Sequence, residues 1–255
     1  MSGSAFIDFG GRWVVLTGGS SGIGRAIALQ LGRLGARVAL VGRSTGALAE
    51  VASMFPEGGS RVVEQDLADS GSVGPKLREL SREVGRIYGF CHCAGVVETR
   101  PLASLQGESL RATMAVNLDA ALEIARVLTR RDVMTEGEGA LLFIASVYGW
   151  AGMAGQVGYS ASKGALISAA RAMAVELARR GVRVNTLSPG MVHTAMTEKA
   201  FKLLAPEQVA ELESNHPLGP GSPEDVARAA AFLLAPENRW ITGTDLAVDG
   251  GYTAR

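Results

Sequence analysis

The sequence predicts an α/β protein built on a doubly wound parallel sheet of about seven strands, with helices on both faces. Three observations predict it. Short apolar runs alternate with helix-spaced segments along all 255 residues. The runs carry apolar residues on both faces, as strands covered from two sides do. The first run ends in a glycine cluster that opens the first helix, which marks the start of a strand–helix–strand unit.

The elements follow in order. Residues 13–17 (WVVLT) form the first strand, and residues 23–34 carry Ile23, Ile27, Leu31 and Leu34 at helical spacing. Gly35 closes that helix. Residues 37–41 (RVALV) are the second strand and 45–54 the second helix. Residues 61–65 (RVVEQ) and a helix over about 72–84 come next. Residues 87–93 (IYGFCHC) are the fourth strand, followed by one long helix over 108–134. Residues 140–145 (ALLFIA) are the fifth strand, 159–180 a strong helix and 182–187 (VRVNTL) the sixth strand. A helix over 223–234 begins at a proline, and 245–248 (DLAV) is the last strand. Residues 1–255 read as one domain, with no linker or repeat. The least regular stretch, 189–223, holds a short helix near 206–212 and reads as a binding loop, with the substrate loop at about 189–217; a surface loop with no role is the alternative.

Composition narrows the function. The chain is 47% hydrophobic and 20% charged, with 25 Lys+Arg against 25 Asp+Glu. A neutral chain has no overall field to collect nucleic acid or an anionic membrane. No run approaches the roughly 18 apolar residues of a membrane span. Cys91 and Cys93, two apart in a strand, suit neither a disulfide nor a zinc site. The expectation is a soluble cytoplasmic protein with buried free thiols.

Thr17-Gly18-Gly19-Ser20-Ser21-Gly22-Ile23-Gly24 lies between the first strand and the first helix. Small residues there let the backbone approach a pyrophosphate, and the helix start adds N–H groups and a positive dipole end. The turn points to a dinucleotide. At the end of the second strand, Val41-Gly42-Arg43-Ser44 lacks the carboxylate that would bind the adenine ribose hydroxyls. Arg43 can fork onto a 2′-phosphate, with Ser20 and Ser44 adding hydroxyls. NADP(H) is therefore preferred, and NAD(H) stays open. Asp66 reads either as a partner of the adenine amino group or as a cap of the following turn.

Tyr159 and Lys163 are four apart at a helix start and share a face. Ser146 ends the fifth strand, thirteen residues before Tyr159. A nearby ammonium lowers a phenol's pKa, and a serine hydroxyl can steady a developing oxyanion. Together these three read as a proton-transfer site; singly, each is an ordinary surface residue.

With these motifs in place, the whole chain resembles the short-chain dehydrogenase/reductase family, with its Rossmann-type sheet. The Thr-Gly-X-X-X-Gly-X-Gly turn at Thr17–Gly24, the Tyr-X-X-X-Lys pair and Ser146 match the family's pattern. The closing Val-Asp-Gly-Gly-Tyr at 248–252 also looks like the family. The resemblance implies that Asn117 is the active-site asparagine and holds a water linking Lys163 to solvent. It implies that Tyr159 transfers the proton, that Lys163 lowers its pKa and holds the ribose, and that Ser146 positions the oxygen. It implies cofactor contacts from Ala94, Gly95, Pro189, Gly190 and Thr194, with Leu67 and Val192 in the same lining. One departure stands out: the family's Asn-Asn-Ala-Gly is His92-Cys93-Ala94-Gly95 here.

The substrate end is expected between 146–157 and 189–217, near Val147, Trp150, Met153, Gln156, Met191, His193 and Met196. The overall pattern looks most like 3-oxoacyl thioester (acyl carrier protein) reductases. Sugar, polyol and secondary-metabolite alcohols remain alternatives, as does an idle dinucleotide-binding module that regulates a partner. The complete set Asn117, Ser146, Tyr159 and Lys163 speaks against the idle module. The family also implies a homotetramer.

Overall fold

The computed structural model describes residues 6–201 and 205–254, without the side chains of Ser70, Met196, Lys199 and Ala200. Seven parallel strands lie in the order β3-β2-β1-β4-β5-β6-β7. They are β1 (Trp13–Thr17), β2 (Arg37–Gly42), β3 (Ser60–Glu64), β4 (Ile87–His92), β5 (Gly139–Ile144), β6 (Val182–Pro189) and β7 (Asp245–Val248). The order reverses between β1 and β4, so the connections leaving these two strands diverge and open a crevice at their carboxyl ends.

Alternation along each strand builds a core on either face. Val15, Phe90, Leu141 and Val184 face α3 (Val73–Val84), α5 (Ala120–Leu128) and α6 (Val157–Leu177). Val14, Leu16, Leu40 and Leu142 face α1 (Gly22–Arg33), α2 (Thr45–Ala52) and α9 (Pro223–Leu234). Gly35 ends the first helix at φ 80°, a conformation that favours glycine.

Two expectations are corrected. The long helix over 108–134 is instead α4 (Gly107–Met114), a π turn (Ala115–Asp119) and α5. It stops at Leu128 because Thr129 turns its hydroxyl back onto Ala125 O at 2.8 Å. The residues beyond are drawn to the start of β4, where Ile87 N donates to Val133 O and Thr135 N to Ile87 O, both at 2.9 Å. The irregular stretch also holds a second helix, α7 (Ala195–Phe201), ahead of α8 (Pro206–Ser214). Its start is tied by Thr194 and Thr197, each backbone N–H donating to the other's hydroxyl at 2.8 and 3.3 Å. A threonine in place of the usual Glu or Gln hid that reciprocal cap.

Arg183 holds α9 to the sheet. It is buried, and its guanidinium donates to the last carbonyls of that helix: Leu233 O at 2.6 Å, Leu234 O at 3.2 Å and Ala235 O at 2.9 Å. Tyr88 adds its hydroxyl to Leu234 O at 2.8 Å. The helix's negative end thus stands in for a carboxylate. Arg183→Met is expected to lose about 3 kcal/mol of stability by leaving buried carbonyls unpaired. Denaturant unfolding checks this, and an unchanged midpoint would contradict it.

Candidate active site

The crevice between the β1 and β4 ends is a cleft of about 410 Å³. All eighteen expected cofactor residues line it, from Gly18 to Thr194. The turn after β1 needs its glycines for space. A Cβ on Gly18, whose φ is 73°, would lie 2.6 Å from Ala94 N, and one on Gly24 would lie 2.1 Å from Gly18 O. No acidic residue stands in the first turn of α1, and the Ser21 side chain makes no capping bond. The helix start is therefore uncompensated and turned toward the cleft, as an anion cradle requires.

At the opposite end, three elements bring the polar groups together. Ser146 follows β5 and accepts from Tyr148 N at 3.2 Å, which fixes its hydroxyl at the cleft wall. Tyr159 and Lys163 come from the first turns of α6. Lys163 Nζ lies 5.7 Å from the Tyr159 ring centre and donates to Ile144 O at 2.8 Å. Asn117 sits in the π turn, fully buried, bonding Val96 N at 2.8 Å, Val96 O at 3.0 Å and Ser162 Oγ at 3.0 Å. π turns recur at functional sites because the extra residue re-aims a side chain. A Cβ on Gly95 would be 3.4 Å from both Asn117 Oδ1 and Lys163 Nζ, so both groups converge on Gly95.

The electrostatics differ from the expectation in one respect. Burial pushes the Tyr159 phenol up to about 12, and the Ser146 hydroxyl partly offsets this. The Lys163 ammonium is bound to Ile144 O, and burial pulls it down to about 8.

At the far end, Arg43 is largely exposed and loosely paired with Asp66, Nη1 to Oδ2 at 3.8 Å. Asp66 Oδ1 accepts from Ala68 N at 3.0 Å, so the aspartate does cap its turn. Sequence reasoning missed Gln65, Val96, Val116, Ala195 and Thr197 in the lining. Gln65 could have been found as the residue following β3 at the strand's carboxyl end.

The His92-Cys93 departure forms its own network. His92 is buried, with Nδ1 3.0 Å from Thr17 Oγ1, and Thr17 Oγ1 also accepts from Ala94 N at 3.3 Å. This ties the end of β4 to the glycine turn. His92 Nε2 faces the Val116 backbone without closing a bond of ordinary geometry. Burial, then the Lys163 charge, pulls its pKa down to about 3. Cys93 lines the cleft, and burial pushes its thiol up to about 12; Cys91 is fully buried and also raised. Both thiols are packing groups with little thiolate character.

His92 makes the fold acid-sensitive. The ring ionises in the unfolded chain near 6.5 but resists protonation in the folded one to about 3. Stability is therefore present above 6.5 and lost as pH falls toward 3. His92→Asn removes the titration while keeping a partner for Thr17. Between about pH 7 and pH 4.5 the parent chain is expected to lose about 2–3 kcal/mol more than the variant. Equal losses in chemical denaturation at the two pH values would contradict the assignment.

The expected substrate residues do not gather in this cleft. Val147 is buried in the interior. Trp150 is 53% exposed, and its indole N–H donates to Asp245 Oδ2 at 2.9 Å. Gln156 is buried against Thr99 Oγ1 at 2.8 Å, with Oε1 unpartnered among the described residues. His193 is exposed, and Met191 and Met153 are half-buried. Met196 lies in α7, its side chain outside the described set. A separate depression, lined by Trp150, Ala151, Asn215, Tyr252 and Thr253, flanks this end.

Comparison with known proteins accords with this geometry. The family described as enoyl-(acyl carrier protein) reductase matches residues 18–253. The chain belongs to the short-chain dehydrogenase/reductase family. It is thus an oxidoreductase of that family. It is 34% identical to a 3-oxoacyl-[acyl-carrier-protein] reductase of Vibrio harveyi, over 94% of this chain and 97% of that protein. It is 37% identical to the human 3-oxoacyl-[acyl-carrier-protein] reductase, over 92% and 94%. Among solved structures, a candidate NAD(P)-dependent gluconate 5-dehydrogenase from Beutenbergia cavernae, with NADP at low occupancy, superposes with a TM-score of 0.90. It is 36% identical, over 97% of this chain and 99% of that one.

Proposed function

We propose that this protein is an NADPH-dependent reductase of ketones, acting on a 3-oxoacyl thioester. One observation carries the reading: Ser146, Tyr159 and Lys163 meet at one end of a cleft whose other end is the glycine turn with Arg43. The glycine cradle and the uncompensated start of α1 fit a pyrophosphate. Arg43, with no carboxylate on β2, fits a 2′-phosphate. When bound, the nicotinamide cofactor supplies the hydride.

The chain's own residues do the rest. Ser146 Oγ holds the substrate's carbonyl oxygen. Tyr159 Oη donates the proton to that oxygen as charge builds on it. A phenol raised to about 12 stays protonated at neutral pH, so the proton is in place when a carbonyl substrate binds. Lys163 Nζ orients a ribose hydroxyl and steadies the phenolate left behind. Asn117, pinned to Val96 and Ser162, holds the π turn against Gly95 and Lys163.

The test is the initial rate of NADPH oxidation with a short 3-oxoacyl thioester, with NADH alongside. Turnover with NADPH and little with NADH is the expected result. NADPH binding without turnover would move the substrate to the second reading, oxidation of a hydroxylated sugar acid or polyol. The 36% identity to the gluconate 5-dehydrogenase structure favours that alternative. We further infer a cytoplasmic homotetramer, with α4, α5 and α6 at one interface and the C-terminal segment at another. Val175 on α6 (81% exposed) and Trp240 (98%) are the apolar side chains such contacts would cover.

A further inference from the structure

His216 lies just beyond α8, buried, with both ring nitrogens engaged. Nδ1 is 3.1 Å from Leu212 O, and Nε2 accepts from Met191 N at 3.0 Å. A carbonyl can only accept, so the hydrogen sits on Nδ1 and leaves Nε2 bare for Met191. The ring stacks on Tyr252 at 4.9 Å and 23°. Tyr252 meets Tyr148 edge-on at 6.2 Å, and Tyr148 N holds Ser146 Oγ. A Cβ on Gly190 would lie 3.0 Å from His216 Nε2. One imidazole therefore touches the backbone of the 189–192 segment, which lines the cleft through Pro189, Gly190 and Val192. Through two aromatic rings it also reaches the loop that carries Ser146.

We propose that His216 is a positioning residue: its neutral ring clasps Met191 and Tyr252, holding the 189–192 wall of the cofactor cleft in register with the Ser146 loop. The proposal rests on the reading of the cleft as an NADPH site. The clasp needs a lone pair on Nε2. On the C-terminal segment the Asp249 carboxylate and the Tyr252 ring lie near the imidazole. The Asp249 carboxylate is occupied by Gly251 N at 3.0 Å, Thr253 N at 2.9 Å and Thr253 Oγ1.

The test compares the parent protein with His216→Gln and His216→Leu. A glutamine oxygen can accept from Met191 N; leucine cannot. NADPH dissociation constants are measured by fluorescence quenching without substrate, with KM and kcat alongside. His216→Leu is expected to weaken NADPH binding about tenfold, with the effect in KM for NADPH rather than kcat. His216→Gln should restore most of the parent's binding. Equal binding by parent and leucine variant, or a glutamine variant as weak as leucine, overturns the clasp. If His216→Leu does not fold, His216→Phe, which keeps a ring on Tyr252 but cannot accept from Met191 N, takes its place. A parent that binds no NADPH would overturn the cofactor reading itself, a result distinct from failure of the clasp.

Discussion

Tyr159→Phe is expected to lower kcat by about a thousandfold or more, while NADPH binding stays within about threefold of the parent. The substitution removes one hydroxyl and leaves the ring against Lys163 Nζ. The Tyr159 phenol is the group in contact with the Ser146 hydroxyl, which puts its proton beside the oxygen that Ser146 would hold. Because burial holds the phenol at about 12, Tyr159 stays protonated from about pH 6 to pH 9, and any fall in the parent's rate of reduction inside that window should follow the loss of the Lys163 charge near 8. A phenylalanine variant that keeps a tenth of the parent rate would remove Tyr159 from the proposed mechanism. Single-turnover measurements at saturating NADPH make the comparison, because they separate chemistry from binding.

Lys163→Met should combine a loss of turnover of about a hundredfold or more with a gain in stability. The ammonium is 4% exposed and pulled down from 10.5 to about 8 by burial. Below about 8 it is charged in both states, and the folded state bears the cost of burying that charge. Between about 8 and 10.5 the folded state releases its proton first, so stability rises with pH over that window. The shift corresponds to about 3 kcal/mol of penalty at neutral pH. Methionine removes the charge but leaves Ile144 O without its donor, so a net gain of about 1–2 kcal/mol at pH 7 is expected. The gap between variant and parent should narrow as pH rises toward about 10.5. A variant less stable than the parent at pH 7, or a gap constant with pH, would contradict this account.

Much of the frame was legible from local pattern. β1, α9 and β7 fall where the sequence places them, because each is bounded by a glycine, a proline or an abrupt change of period. Over 108–134 the start was legible, because α4, the π turn and α5 run on without a break from Gly107 to Leu128, but the end was not. That early end depends on Thr129 and on pairing of Val133 and Thr135 with Ile87, more than forty residues away in sequence. The cofactor lining was legible because strand ends and glycine turns define it through the backbone. The substrate residues were not, because Trp150 and Gln156 are claimed by Asp245 and Thr99, partners distant in the chain.

By itself the sequence determined the alternation of strands and helices, the glycine cradle, the absence of a β2 carboxylate and the Tyr159/Lys163 register. These depend on side-chain period and backbone conformation, which are local properties. Tertiary structure alone decided the burial that raises Tyr159 and lowers Lys163 and His92. It also decided the capture of Arg183 by the end of α9 and of His216 by Met191 and Tyr252. Desolvation and long-range hydrogen bonding arise only when distant segments exclude water together, so no window of sequence contains them.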